Sequence, residues 1–209
     1  MPNWVSTTAS VTGSKEELQR FISGITDKGI LESYVPCPTE LRETVSGFFG
    51  DEAKAEEIRK KNEDNIAKYG HKDWYDWQYE EWGTKWGDCD THLEPMSEMN
   101  NGAHEVSITF QTAWGSASEG FRKVSAMFPS LMFTFDYDEE AGFFAGMEVM
   151  KGGMTIYEGT YAPCEYGEEV DWDDDSSVTK YEEWKNEQSD KIWEEFMTKF
   201  PLSPITDKV

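Results

Sequence analysis

The feature that most constrains the fold lies in the second half of the chain, where three segments of strand-forming residues follow one another closely. They span residues 131–138, 143–150 and 154–161. Their connections, Glu139-Glu140-Ala141-Gly142 and Lys151-Gly152-Gly153, have the composition of tight hairpin turns. Strands joined by such short turns pair antiparallel, because a parallel crossover needs a dozen or more residues. The sequence therefore predicts an antiparallel sheet.

Two further strands are predicted outside this region. Residues 4–12 are rich in β-branched side chains, and Val106, Ile108 and Phe110 alternate with polar residues, as in a strand with one covered face. Between them, the glycine, asparagine and proline residues of segment 87–102 predict a loop.

Helices are predicted between and after these strands. Ser14 with Glu17, and Ser116 with Glu119, have the spacing of capping boxes at helix starts. Segment 51–69 has a narrow apolar stripe and predicts a solvent-exposed helix. The prolines of Tyr34-Val35-Pro36-Cys37-Pro38 predict an extended segment over residues 34–38. An amphipathic terminal helix is outlined by Tyr181, Trp184, Ile192, Trp193, Phe196 and Phe200.

The order β-α-insert-β-α-β-β-β-α predicts a single α+β domain over residues 1–209. We expect a ferredoxin-like antiparallel sheet with helices on one face. A helical and aromatic insert spans about residues 39–102, and an acidic loop and a C-terminal helix span residues 165–200.

The charge balance limits the partners of the chain. Forty-two Asp and Glu residues against 19 Lys and Arg residues give a formal net charge of −23 at pH 7. Nucleic acid is excluded as a direct partner, because binding phosphate requires clustered cations, and anionic membranes are disfavoured for the same reason. The charge favours cationic partners such as a basic protein, a metal ion or the DNA-binding groove of another protein.

Cysteine use and hydropathy indicate a compartment. Cys37, Cys89 and Cys164 are widely spaced and suggest no disulfide framework. The start of the sequence lacks a signal-peptide pattern, and no apolar run is long enough for a membrane span. We therefore expect a soluble cytoplasmic protein.

An aromatic block is the first candidate binding surface, because rigid rings and lysines are frequent at recognition surfaces. The alternative is that the rings simply cover the sheet, with the Lys85 stem packed on an indole. The candidate residues are Trp74, Trp77, Trp82, Thr84, Lys85, Trp86 and Trp114.

An acidic run is the second candidate surface. It could imitate nucleic-acid phosphates or recruit a basic partner, or it could be a solvated loop whose last acids favour the start of the following helix. The run comprises Glu165, Glu168, Glu169, Asp171, Asp173, Asp174 and Asp175.

Other chemistry finds little support in the sequence. Segment 171–175 lacks the central glycine and terminal glutamate of an EF-hand loop. Cys89 with His92 is only half of a zinc site. Nucleophile motifs and phosphate-binding loops are missing from the sequence. We therefore predict no catalytic residue, no metal and no cofactor.

Four segments of the sequence, taken together, resemble the YubB-like family of phage and plasmid proteins, whose members carry a ferredoxin-like domain. The matching segments are Pro2-Asn3-Trp4, Trp82-Gly83-Thr84-Lys85-Trp86, Phe110-Gln111-Thr112-Ala113-Trp114, and Phe128-Pro129 with Tyr137 and Gly146. The chain departs from the family at Val5 and at Gly115-Ser116-Ala117. The resemblance implies a mobile-element origin and a bacterial cytoplasm, and it implies no catalytic mechanism.

Three hypotheses for function follow. The first is a non-catalytic accessory protein that binds and inhibits a basic host protein, such as a nucleic-acid-binding defence enzyme, by mimicking DNA. The second is an enzyme or nucleotide-binding protein with a Trp-lined pocket and Lys85 on the phosphate. The third is a structural or assembly protein of a mobile element.

Overall fold

The computed structural model describes residues 2–46 and 52–200. The strands are β1 (Trp4–Gly13), β2 (Cys89–Leu93), β3 (Ser97–Glu98), β4 (His104–Ala113), β5 (Met132–Glu139), β6 (Ala145–Lys151) and β7 (Met154–Tyr161). The helices are α1 (Lys15–Ser23), α2 (Ile30–Tyr34), α3 (Thr39–Arg42), α4 (Glu52–Tyr69), α5 (Trp74–Trp82), α6 (Ser118–Met127) and α7 (Asp175–Lys199). Residue 51 of the predicted helix 51–69 lies outside the described residues.

The strands form one antiparallel sheet in the order β2-β4-β1-β5-β6-β7, and β3 pairs with β4. The register places Ala9 of β1 opposite Ile108 of β4 and Phe135 of β5. The predicted antiparallel sheet is therefore confirmed. The two hairpins that connect β5, β6 and β7 lie where the sequence predicts them.

One face of the sheet carries the main core. Alternate residues of β1, β4 and β5 point toward the helices, because side chains alternate between the two faces of a strand. The ring of Phe121 from α6 lies 5.1 Å from that of Phe110 and 4.9 Å from that of Phe135. Phe21 from α1 packs edge-on against Phe133 of β5. Helices α1, α2, α5 and α6 contribute buried side chains to this core, which we call the covered face.

The other face of the sheet is only half covered. Helix α7 packs on β6 and β7 through a smaller cluster around Met147, Tyr157 and Phe196. Gly159 permits this approach, because a Cβ atom there would lie 2.7 Å from Cγ2 of Ile192. Beside α7, Ser6 and Thr8 of β1 and Thr109 of β4 are exposed to solvent on this face. We call this region of the sheet the open face.

One prediction for the insert is wrong, and the structure adds a helix there that the sequence did not predict. Segment 87–102 is not a loop throughout, since β2 and β3 pair there with β4. The aromatic block contains helix α5, which begins at the Asp73 cap and ends at Gly83 in the left-handed conformation (φ 81°). Before the insert, Tyr34 is the last residue of the short helix α2, so the predicted extended segment 34–38 is wrong at this residue.

The two predicted capping boxes have different outcomes. Ser14 caps α1, and its side chain accepts a hydrogen bond from the Glu17 backbone N–H at 3.3 Å. The second capping box is wrong, because α6 begins at Ser118 after Ala117, with no side-chain cap. Ser118 instead donates its hydroxyl to the buried Glu148 carboxylate of β6. None of the described helices is both long and apolar enough to cross a lipid bilayer.

Candidate functional site

The aromatic block divides into an interior part and a surface part. Trp77 and Trp82 are buried, and the Trp82 indole N–H donates to the Val35 carbonyl at 2.8 Å. Thr84 is fully buried, and its hydroxyl donates to the Ala113 carbonyl at 2.8 Å. These three predicted site residues therefore belong to the core, because their ring surfaces and polar atoms are already used there. Trp74 is half-buried against the same core.

The surface part surrounds the ammonium group of Lys85. Its Nζ lies 4.8 Å from the ring centroid of Trp86 and 4.7 Å from that of Trp114, within cation–π range. Trp4 packs on Trp86 with ring centroids 5.9 Å apart, and the Tyr75 ring lies 5.7 Å from Lys85 Nζ. We call these five residues the aromatic cluster. Its Lys85 ammonium packs on the ring faces, and Trp114 is 39% exposed.

Trp4 and Tyr75 are members of the cluster that the sequence interpretation missed. Trp4 lies opposite Ala113 in the sheet, next to the TAW segment. A predicted pairing of the first strand with the TAW strand would have placed it there. Tyr75 has no comparable signal, because its place depends on how α5 packs.

The acidic run lies in the connection from β7 to α7, and all seven of its predicted residues are exposed. Asp174 caps α7, since its carboxylate accepts from the Ser176 backbone N–H at 3.1 Å. Hydrogen bonds from the Ser176 hydroxyl and from that N–H lower the pKa of Asp174. Asp175 is the first residue of the helix. Asp174 and Asp175 thus stabilise the start of α7, as expected if the run is a solvated loop. Glu168 and Glu169 lie before the helix and have no such role.

A cleft of about 630 Å³ lies on the open face, between the sheet and α7. Its floor is set by strand register: Ser6 lies opposite Gln111 and Asp138, and Thr8 lies opposite Thr109 and Asp136. Its wall is one stripe of α7, formed by Glu182, Lys185, Asn186 and Ser189. These spacings of three and four residues place the side chains on the same helix face.

A second cleft of about 780 Å³ adjoins the first. Both clefts are lined by Ser6, Asp138, Glu182 and Lys185, so that they form one continuous depression. At its far end lie Glu168 and Glu169 of the acidic run, together with the rings of Tyr166, Trp172 and Tyr181. We call the two clefts together the acidic groove.

The groove is poorly neutralised. Among the described residues that line it, Lys185 is the sole base, and its ammonium is already hydrogen-bonded to the Asp138 carboxylate. Burial opposes the charge on Lys185, but the hydrogen bond and the charge of Asp138 outweigh it and raise the Lys185 pKa. Burial also raises the pKa of Asp136, against a smaller opposite effect of a hydrogen bond with the Trp193 indole. The floor therefore holds a carboxylate without a cationic partner among its lining residues.

The sequence interpretation missed Asp136, Asp138, Glu182 and Lys185. A signal exists for the first two, because they alternate in β5 with Phe133, Phe135 and Tyr137 and must face away from the core. No sequence signal brings Lys185 to Asp138, which is 47 residues away.

The residues considered for metal binding or nucleophilic chemistry lie apart. Cys89 and His92 belong to β2, with a register shift between them. Burial raises the pKa of the Cys37 thiol to about 11. Within residues 2–46 and 52–200, no group of three or more His, Cys, Asp or Glu side chains is arranged to hold a metal ion.

Comparisons with known proteins bear on the fold. No curated protein matches the sequence significantly. Among solved structures, the chain is similar to the crystal structure of a protein Api92 from Yersinia pseudotuberculosis, with a TM-score of 0.48 and 10% sequence identity over 78% of this chain and 99% of that chain. The family described as "Ferredoxin-like domain in Api92-like protein" matches residues 81–195, which confirms the predicted ferredoxin-like fold. Because this match covers more than half of the sequence, the chain belongs to the family of Api92-like proteins with a ferredoxin-like domain.

Proposed function

We propose that this protein acts by binding, and that it inhibits a host protein whose basic surface normally binds nucleic acid. The observation that carries the proposal is the acidic groove, where Lys185, the one base among the described lining residues, is already paired with Asp138. Carboxylates along an open groove present negative charge to a partner in the way that phosphates do. A cationic nucleic-acid-binding surface is the complementary partner.

The net charge of −23 supports the same proposal. A strong field of one sign accelerates the encounter with an oppositely charged partner, and salt screens this attraction. The aromatic cluster offers a second, less polar contact, where ring burial would slow dissociation. The protein would then associate through charge and stay bound partly through rings.

The origin in a phage or plasmid, and with it the bacterial cytoplasm and the counter-defence role, belongs to the proposal. It rests on the resemblance to YubB-like proteins in the segments around Trp4, Trp86 and Trp114. The alternative of a nucleotide pocket needs Lys85 to face into a cavity, and the packing of its ammonium on the rings of Trp86 and Trp114 gives that alternative no support. If the protein instead has a structural or assembly role, we expect it to form large homo-oligomers, which a mass measurement in solution tests.

The proposal is tested by capture from a bacterial lysate at low salt, followed by elution with duplex DNA. We expect DNA-binding proteins to be retained and then released by DNA, because the two compete for one basic surface. An uncharged polymer at the same mass concentration should release nothing. Retention of no DNA-binding protein, or retention that DNA does not reverse, would contradict the proposal.

A matched pair of variants locates the binding surface on the molecule. The groove variant carries Glu168→Gln, Glu169→Gln and Glu182→Gln, and the control carries Glu57→Gln, Glu63→Gln and Asp64→Asn on the exposed helix α4. Both remove three negative charges. We expect the association rate with a captured protein, measured at low salt, to fall about tenfold in the groove variant and much less in the control. Equal losses would show that only net charge matters.

A further inference from the structure

Within residues 2–46 and 52–200, the open face is a sheet surface that no helix or strand covers. Ser6, Thr8 and Thr109 are exposed there, although the same strands are buried on their covered face. Helix α7 packs mainly on β6 and β7 and reaches β5 through Lys185 and Trp193. A partner that docks on this surface meets hydroxyl groups and carboxylates, so it must bring hydrogen-bond donors and positive charge rather than apolar side chains.

Lys185 shows how the groove holds a cation. Its ammonium binds the Asp138 carboxylate while it lies 5.7 Å from the centroid of the Tyr181 ring. One cation thus contacts both a carboxylate and an aromatic ring. Asp136, two residues before Asp138 on the same face, lacks an equivalent base among the residues that line the groove. The groove therefore offers a further place for a cation beside the one that Lys185 fills.

The far end of the groove favours a guanidinium over an ammonium. Tyr166, Tyr181 and the 68%-exposed Trp172 line this end beside Glu168 and Glu169, and the Tyr166 and Trp172 rings pack edge-on against Tyr181. A planar guanidinium stacks on rings and binds carboxylates through two parallel hydrogen bonds, whereas an ammonium is a point charge. A chain with arginines at intervals can use the carboxylates of the floor and the rings of the far end together.

We propose that the acidic groove binds an extended, arginine-rich segment of the partner protein, with one guanidinium displacing Lys185 from Asp138. This inference rests on the proposed function and specifies which part of the partner is recognised. The volumes of the two clefts, about 630 and 780 Å³, lie within the range of ligand-binding clefts. A second copy of this chain is a poor occupant, because two protomers of charge −23 repel each other.

The direct test uses a fluorescent peptide of nine residues in which arginine alternates with serine, and measures its binding by anisotropy at low salt. Peptides with lysine or glutamine in place of arginine are the controls. We expect the arginine peptide to bind more tightly than the lysine peptide, and the glutamine peptide not to bind. The double variant Asp136→Asn, Asp138→Asn should lose at least tenfold in affinity. Equal affinity for arginine and lysine, or no loss in the double variant, would overturn the inference.

A sharper test removes the internal competitor. In Lys185→Met the side chain keeps most of its apolar stem but no longer occupies Asp138, so the arginine peptide should bind up to about fivefold more tightly. The control Lys191→Met removes the same charge from an exposed position on the same helix. If both variants improve binding equally, net charge explains the gain and the displacement is wrong. Thermal unfolding of each variant confirms that it is folded.

The outcomes also separate this inference from the proposed function. If the captured basic protein binds the wild type and the double variant equally, the groove is not its site and the inference fails, while the binding of a DNA-binding protein then stands on the capture and its reversal by DNA alone. If neither the peptide nor any DNA-binding protein binds, both fail. A mass in solution twice that of one chain, lost in the double variant, would identify a second copy as the occupant instead.

Discussion

The two faces of the sheet treat acidic side chains in opposite ways. On the covered face, Glu148 is buried and both carboxylate oxygens accept hydrogen bonds at 2.5 Å, one from Ser118 and one from Thr155. Glu139, also buried although it lines the second cleft, accepts through one oxygen from the backbone N–H groups of Ala141 and Phe143. On the open face, Asp138 forms an ion pair with Lys185 of α7. Asp136 forms a hydrogen bond with the Trp193 indole.

This difference separates structural acids from acids that a ligand can reach. A buried carboxylate with hydrogen bonds to both oxygens or to backbone donors has a role within the fold, because removing its partners leaves a costly unpaired group. A carboxylate in a groove with few partners can accept new donors at little structural cost. The number of acids alone does not make this distinction, since both faces carry them.

The largest expected effect contrasts the two faces by truncation. Phe121→Ala removes a buried ring that contacts Phe110 and Phe135, and should lower the free energy of unfolding by about 3–5 kcal/mol. Thr8→Ala on the open face should change it by less than about 0.5 kcal/mol. Chemical denaturation of both variants measures the contrast. A large loss in Thr8→Ala would mean that the open face is packed against something.

An intermediate effect is expected within the aromatic block. Trp82→Phe removes the hydrogen bond to the Val35 carbonyl and leaves a gap in the core, and should cost roughly 2–3 kcal/mol. Trp114→Phe keeps a ring at the surface beside Lys85 and should cost less than about 1 kcal/mol. Urea denaturation of each variant measures the two losses in unfolding free energy. Similar losses would remove the division between interior and surface rings.

Much of the fold follows from local pattern. Turn residues set the β5–β6–β7 meander, and a short-range hydrogen bond sets the Ser14 cap. The alternation of residue types decides which side chains of β1 face the core. A sequence displays all three signals directly. Two of the wrong predictions, the loop over 87–102 and the capping box at Ser116, share one cause. Segment 87–102 became strands because β4 offered a free edge, and Ser118 used its hydroxyl on Glu148 instead of on a helix cap. Both depend on tertiary contacts.

The candidate site was less accessible to sequence reasoning than the fold. The acidic run and the Trp-rich segment are visible as composition, so they were chosen first. The groove depends on the meeting of β5 with α7, where Asp138 and Lys185 come together across 47 residues. Strand alternation predicts that Asp136 and Asp138 face away from the core. It does not predict which helix lies beside them.

The smallest effect concerns the pH dependence of stability at Asp136. Burial raises the pKa of this carboxyl in the folded protein above its unfolded value of about 3.9. The folded state then holds its proton more tightly than the unfolded state, so Asp136 destabilises the fold at neutral pH and this penalty disappears as pH falls through the raised pKa. Asp136→Asn has no such penalty. We expect it to be more stable than the wild type at pH 7, with a difference that shrinks toward zero below about pH 3.9.

Measuring the difference between the two proteins isolates this carboxyl. Other groups, such as Glu40, whose pKa a hydrogen bond from Lys68 lowers to about 2, contribute to both proteins and cancel. Asp64→Asn on α4 removes the same charge far from the groove and controls for net repulsion. If the advantage of Asp136→Asn over the wild type does not change with pH, Asp136 is as well solvated as an exposed acid. Burial beside α7 would then not distinguish Asp136 from the exposed acids of α4.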